Sequence, residues 1–402
     1  MEPRVDSRRR RYAAVLAGTV TYTVLLFSWF SVPAYLETLI AEVGLSGTQA
    51  GVLAGAVPLV YVPLGVVSGL VVDRVGAGRS LVVGLAIVGL AQLWRSVATG
   101  FPDLLAGTLL LGVGATAITF GLPKLVGVLF PPTETGVPTS IYLVGAALGS
   151  AGAFAVGRPL LGPLLGGWRP LFFWTGAVAI GYAVLLLVEF RVLAVDLRGD
   201  TGSRFDLDAV RGDLTALLAH PDMRLLVLVA TMYLLLVHGL QGWLPTILEA
   251  RGLAPGLAGQ STSLFVVAST AAVVVVPPLA DRYDARRPAV IGAGLVGLAG
   301  LGAVATGGAT GLAIMGIAVA GFGTGSLSPL VRSIPPDLEN VGARRTGTAM
   351  GLAFAVGEIG GFAGPFAVGA LFDATGSYLA GLGLLAAGAI VVVGSGLALR
   401  DV

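Results

Sequence analysis

At 402 residues, with 55% hydrophobic and only 11% charged side chains, the chain departs from the composition of a soluble globular protein. A mean hydropathy of +0.91 and a net charge of +2 describe a protein whose main solvent is lipid. The lack of cysteine excludes disulfides, thiolate metal sites and cysteine nucleophiles, and no basic stripe interleaved with aromatics points to nucleic acid.

Crossing a bilayer takes about 20 apolar residues. Runs of that kind recur near 12–36, 47–72, 80–99, 103–129, 138–160, 169–190, 223–249, 257–280, 288–307, 309–331, 346–371 and 377–399. The chain is therefore expected to be an all-α membrane protein of twelve spans. The arginines of "SRRRRY" (7–12) superficially match a twin-arginine export signal, but the first apolar run is too long, and too evenly followed by others, for a cleaved leader. With the N-terminus inside, one side of the membrane receives Arg8 to Arg11, Arg74, Arg79, Arg191, Arg224, Arg282, Arg286, Arg287 and Arg400 among others. The other receives Arg95, Arg158, Arg169 and Arg251, so the positive-inside rule places both termini in the cytoplasm of a multi-pass protein of the cell membrane. Arg95 and Arg158, toward the outer ends of spans 3 and 5, read as interface anchors, with an outward vestibule guarded by Arg95 as the alternative.

In chain order, the second span ends in "VVDRVGAGR" (71–79), and the fourth carries Lys124, the single lysine of the sequence, within "GLPKLVGVLFPP" (121–132). Tyr142 lies early in span 5. The polar stretch 191–222 reads as a cytoplasmic linker with a short surface helix, separating an N-terminal half, 1–190, from a C-terminal half, 223–402. Span 7 holds "YLLLVHGLQGWLP", in which His238 and Gln241 offer polar groups and Trp243 an aromatic wall. His238 either titrates in the working range or is satisfied by a neighbouring helix. Arg332 falls in span 10. Glu358, in "AMGLAFAVGEIGGFAGP" (349–365) of span 11, is a carboxylate near mid-span. Burial favours its protonated form, suiting it to carry a proton; as alternatives it pairs with Arg332 or bonds across a glycine-lined interface.

A repeat offset of 208 residues runs through these landmarks. Gly44/Gly252, Leu45/Leu253, Gly51/Gly259, Asp73/Asp281 and Arg74/Arg282 are in register, as are Lys124 and Arg332. Six spans per copy give both copies one orientation, a parallel repeat around a central cavity. Charges inside a bilayer are expensive, so they mark function by default. Two cations at equivalent points of spans 4 and 10, if aimed at one cavity, would hold an anion; the alternative is that they snorkel to the surface or pair with loop carboxylates.

The doubled "G-x-x-x-D-R-x-G-x-x-R"-type loop after the second span of each half resembles the major facilitator superfamily. That resemblance implies two six-helix bundles alternating access, with Asp73, Arg74 and Arg79, and Asp281 and Arg282 in the second copy, as a conformational gate. Asp284 stands where the first copy has Gly76, which puts the second turn's geometry in question. "LPKLVGVLFPP", "LAQLWRSVA" and "GWLPTILEARGLAPGLAG" look like the cyanate- and nitrate-type permease branches, although Gly127 and Val128 stand where those place a basic residue. The expected function is secondary transport of a small organic or inorganic anion, with Lys124, Arg332, His238, Gln241, Trp243 and Tyr142 as substrate contacts and Glu358 coupling a proton. A multidrug-type exporter of apolar or cationic compounds and a solute sensor without flux are the rivals. No zinc or nucleotide motif supports an enzyme or an ATP-driven pump. No cofactor or metal is expected, and the anticipated partners are the substrate and the lipid bilayer, with a monomer favoured.

Overall fold

The computed structural model describes residues 8–193, 207–308, 310–338 and 341–400. Those residues contain twelve helices long and apolar enough to cross a membrane. They are α1 Arg8–Ala34, α2 Gly47–Val75, α3 Ala77–Ser96, α4 Phe101–Leu129, α5 Gly136–Leu165, α6 Trp168–Val192, α7 Pro221–Ala250, α8 Pro255–Arg282, α9 Arg286–Thr306, α10 Gly311–Ser333, α11 Gly342–Thr375 and α12 Tyr378–Ala398. No strand occurs among the described residues. In lipid each backbone polar group must bond within its own segment, which is why the apolar runs resolve as helices. Part of the expected linker, 194–206, lies outside the described residues; its second half forms the expected short helix, Leu207–Ala219.

The helices form two compact units. One contains the chain to Tyr35 together with Pro63–Arg204, and the other Leu36–Val62 together with Phe205–Val402. Thus the first half of α2 packs with the second unit, for a steric reason. A Cβ on Gly51 would lie 2.5 Å from the Pro365 carbonyl, one on Gly55 2.9 Å from the Phe362 carbonyl and one on Gly369 2.0 Å from the Gly47 carbonyl. Small residues at helical spacing let the α2 and α11 backbones touch, the packing that works where lipid supplies no hydrophobic drive. Asp373 of α11 then accepts from the backbone amides of Gly47 and Thr48, each at 2.7 Å, neutralising open donors at the α2 N-terminus.

The 208-residue repeat is legible in the backbone. Gly44 and Gly252 both have positive φ, 72° and 92°. The turn after α2 uses Gly76 at φ 97°, and its counterpart Asp284 adopts φ 48°, the one non-glycine residue at positive φ among those described. The second turn therefore shares the positive φ of the first, which aspartate is among the few L-residues to tolerate. Asp284→Val, placing a branched Cβ there, should cost about 1–2 kcal/mol, while Asp284→Gly should keep the wild-type midpoint within a few degrees in a fluorescence-monitored melt.

Side-chain contacts repeat as well. Tyr35 Oη donates to the Gly157 carbonyl at 3.5 Å, and Trp243 Nε1, 208 positions on, donates to the Pro365 carbonyl at 2.8 Å. The α5 side of the first contact is a π-helical stretch, Ala153–Leu161, containing Pro159. Proline has no amide hydrogen to offer the α-helical ladder, and π-helical turns often mark functional sites.

Candidate functional site

The second unit gathers a polar cluster from three helices. α7 contributes Tyr233 and His238, α10 Ser328 and Arg332, and α11 Phe354 and Glu358. The spacings 328/332 and 354/358 are i, i+4, which puts each pair on one helix face. Arg332 Nη1 donates to Ser328 Oγ at 2.9 Å and its guanidinium lies 4.4 Å from the centre of the Phe354 ring. The Tyr233 hydroxyl lies near Ser328 and within electrostatic reach of both Arg332 and Glu358. His238 Nε2 stands 3.9 Å from Glu358 Oε2, too far for a hydrogen bond but close enough for each charge to bias the other. Glu358 is 14% exposed, and its Oε2 is buried with no hydrogen-bond partner among the described residues.

Glycines make this closeness possible. A Cβ on Gly360 would lie 2.1 Å from the Thr231 carbonyl and one on Gly364 2.3 Å from that of Leu235, so α11 rides directly on the α7 backbone. Gly361 forms the floor: a Cβ there would meet Glu358 Oε2 at 2.7 Å and the His238 ring at 3.1 Å. The run "GEIGGFAG" thus both carries the carboxylate and clears space for it.

The two cations at equivalent repeat positions have different partners. Lys124 Nζ pairs with Asp73 Oδ1 at 2.7 Å, both side chains being 40% exposed. Arg332 has no carboxylate partner among the described residues, and it is exposed. A single substitution between the copies explains the difference. Where the first loop has Gly78, the second has Arg286. Arg286 takes Asp281 at 3.0 Å and also donates to the Ser333 carbonyl at 3.3 Å. The second loop carboxylate is therefore satisfied locally and leaves Arg332 free, whereas the first must use Lys124.

Among the other expected residues, Arg74 and Arg79 are exposed and Arg282 lies 5.7 Å from the Tyr283 ring centre. Tyr142 is 7% exposed, its ring 6.0 Å from that of Tyr22. Gln241 is buried in α7. Trp243 is fully buried, bonded to the Pro365 carbonyl with its ring 5.6 Å from that of Tyr378, which makes it a packing residue joining α7, α11 and α12. Arg95 also departs from expectation: far from anchoring at an interface, it is completely buried. Tyr233, Ser328 and Phe354 escaped the sequence reading, although the four-residue offsets from Arg332 and Glu358 were available to find the last two.

The sequence model described as Major Facilitator Superfamily matches residues 18–365. The chain is 29% identical to the 3-(3-hydroxy-phenyl)propionate transporter of Escherichia coli K12, over 87% of this chain and 83% of that one. It is 27% identical to the nitrite extrusion protein of Bacillus subtilis 168, over 88% and 85%. Among solved structures it resembles a bacterial homologue of the human lysosomal transporter Spinster in an inward-facing, unoccupied conformation, with a TM-score of 0.81 over 97% of this chain and 96% of that one at 18% identity, a likeness of fold.

Proposed function

From the premise that the chain belongs to the Major Facilitator Superfamily, a family of transporters, we propose that it moves a small organic or inorganic anion across the cell membrane by alternating access, coupled to protons. Both termini lie in the cytoplasm on this reading, as the arginine distribution favours. The observation that carries it is Arg332: an exposed guanidinium, oriented by Ser328 and Phe354, with no carboxylate taking its charge among the described residues. A guanidinium so held presents donors in the planar fork that fits carboxylate, nitrate or nitrite oxygens. Relatives with names denoting nitrite and a phenylpropionate, both anions, are in keeping with it.

Glu358 supplies the coupling. When protonated it leaves the Arg332 field unopposed and favours the anion. When ionised it competes for the same cation and for His238, so loading a proton and loading an anion assist each other. Lys124 serves as a second, switched cation: in this state Asp73 holds it, and movement of the loop between α2 and α3 frees it for the substrate. Asp73 and Lys124 therefore work as a unit. Neutralising both (Asp73→Asn with Lys124→Gln) should cost less transport than the sum of the two single losses in free energy, and strict additivity would show that they act separately.

The reading is tested by uptake of labelled nitrate, nitrite, formate and short carboxylates into proteoliposomes, with and without an inward proton gradient, beside a lipophilic cation. Accumulation of one anion only when the gradient is present supports the proposal. Movement of the cation and of no anion would replace it with the exporter reading.

A further inference from the structure

The first unit contains a buried cation that the cluster at Arg332 does not involve. Arg95 of α3 is 0% exposed. Its Nη1 donates to the Ser28 carbonyl at 3.3 Å and its guanidinium carbon lies 4.8 Å from the Phe172 ring centre. Gly107 of α4 clears room for its stem, since a Cβ there would come within 2.6 Å of Arg95 Cγ. Its Nε and Nη2 are buried and have no hydrogen-bond partner among the described residues. Those two groups form one side of the guanidinium, and they are the parallel pair of donors that grips a carboxylate or phosphate in two-point fashion. A buried guanidinium with one edge unbonded is costly.

Its neighbours are in a similar condition. Ser28 Oγ and Gln92 Oε1 are buried without partners among the described residues, while Gln92 Nε2 donates to Thr175 Oγ1 at 2.9 Å. Ser28 and Thr175 also line a cleft of about 300 Å³ between α1, α5 and α6, whose walls include Phe27, Leu161, Trp174 and Val178. Trp174 and Val178 are more than half exposed on the outward face of α6, so this cleft opens where acyl chains of the bilayer would run. Leu161 belongs to the π-helical stretch of α5.

We propose that this cleft is a binding site for a carboxylate-headed amphiphile that enters from the bilayer, its apolar body along Phe27, Leu161 and Trp174 and its head group passing Ser28 to the free edge of Arg95. The serine hydroxyl and the Gln92 amide complete the polar end, and Phe172 fixes the guanidinium plane. The apolar wall selects against small inorganic ions, and the buried cation selects against neutral and cationic chains.

The test uses the full-length protein in neutral detergent and 11-bromoundecanoate, whose bromine quenches tryptophan. Saturable quenching is expected from the carboxylate and not from 11-bromoundecanol, and Trp174→Phe should remove most of it. Val178→Phe, which narrows the cleft at an exposed position, and Arg95→Met should each raise the half-saturating concentration by about tenfold or more. If Arg95→Met fails to fold, the comparison of head groups on the wild-type protein decides. Equal quenching by the alcohol would overturn the proposal, leaving an apolar groove that takes any chain. Stronger quenching by 11-bromoundecyl phosphate than by the carboxylate would overturn the choice of head group in favour of a lipid phosphate.

Discussion

Arg332→Gln is expected to raise the KM for the transported anion by about 10–100-fold while leaving the amount of folded protein unchanged. Hydrogen bonds to a charged partner are worth about 1.5–3 kcal/mol, and each 1.4 kcal/mol is about a factor of ten. Folding should tolerate the change because the side chain is exposed and makes no ion pair with a carboxylate among the described residues; its losses are one bond to Ser328 Oγ and the face of Phe354. Arg332→Lys should fall between the two, since an ammonium keeps the charge and forfeits the planar fork. Ser328→Ala should give a milder version of the same defect, raising KM without the full loss, because Ser328 aims the guanidinium. Initial-rate uptake across a range of anion concentrations checks all three. An unchanged KM in Arg332→Gln would place the anion elsewhere.

The second large effect belongs to Glu358. Glu358→Gln keeps the shape over Gly361 and beside His238 but removes the group that gains and loses a proton. Accumulation driven by a proton gradient should fall to the level of simple equilibration, while exchange of internal for external anion, which needs no net proton movement, persists at a rate within about tenfold of wild type. The separation of the two assays is the informative outcome. If both fail together, Glu358 is structural, holding α11 against α7 at a seam where glycines already bring the backbones into contact. If both survive, the proton travels by another route. His238→Gln should shift the pH dependence of uptake without abolishing accumulation, since the histidine sits 3.9 Å from the carboxylate and biases it without replacing it.

Much of this architecture was legible in the sequence because the bilayer imposes a length and a polarity that the chain must meet segment by segment. The twelve spans and the doubled loop followed from that, and the register of Gly44 with Gly252 was there to be read. What stayed hidden were pairings set by one residue elsewhere. Lys124 and Arg332 occupy equivalent positions, yet one is taken by Asp73 and the other is not, and the cause is Arg286 in place of Gly78. No hydropathy pattern carries that information. Arg95 reads as an anchor from its place near a span end, and a rotation of about 100° per residue decides whether such a side chain meets lipid or the interior of its bundle. The docking of Leu36–Val62 with the second unit likewise rests on glycines that, among 61, do not announce which of them face another backbone.

Anion and proton are expected to move together. The decisive measurement is the internal pH of proteoliposomes, reported by an entrapped dye, when an inward anion gradient is imposed at equal pH on both sides. Acidification of the lumen that tracks anion entry, and that disappears in Glu358→Gln, is the predicted result. Anion entry with a flat pH trace in the wild-type protein would contradict it.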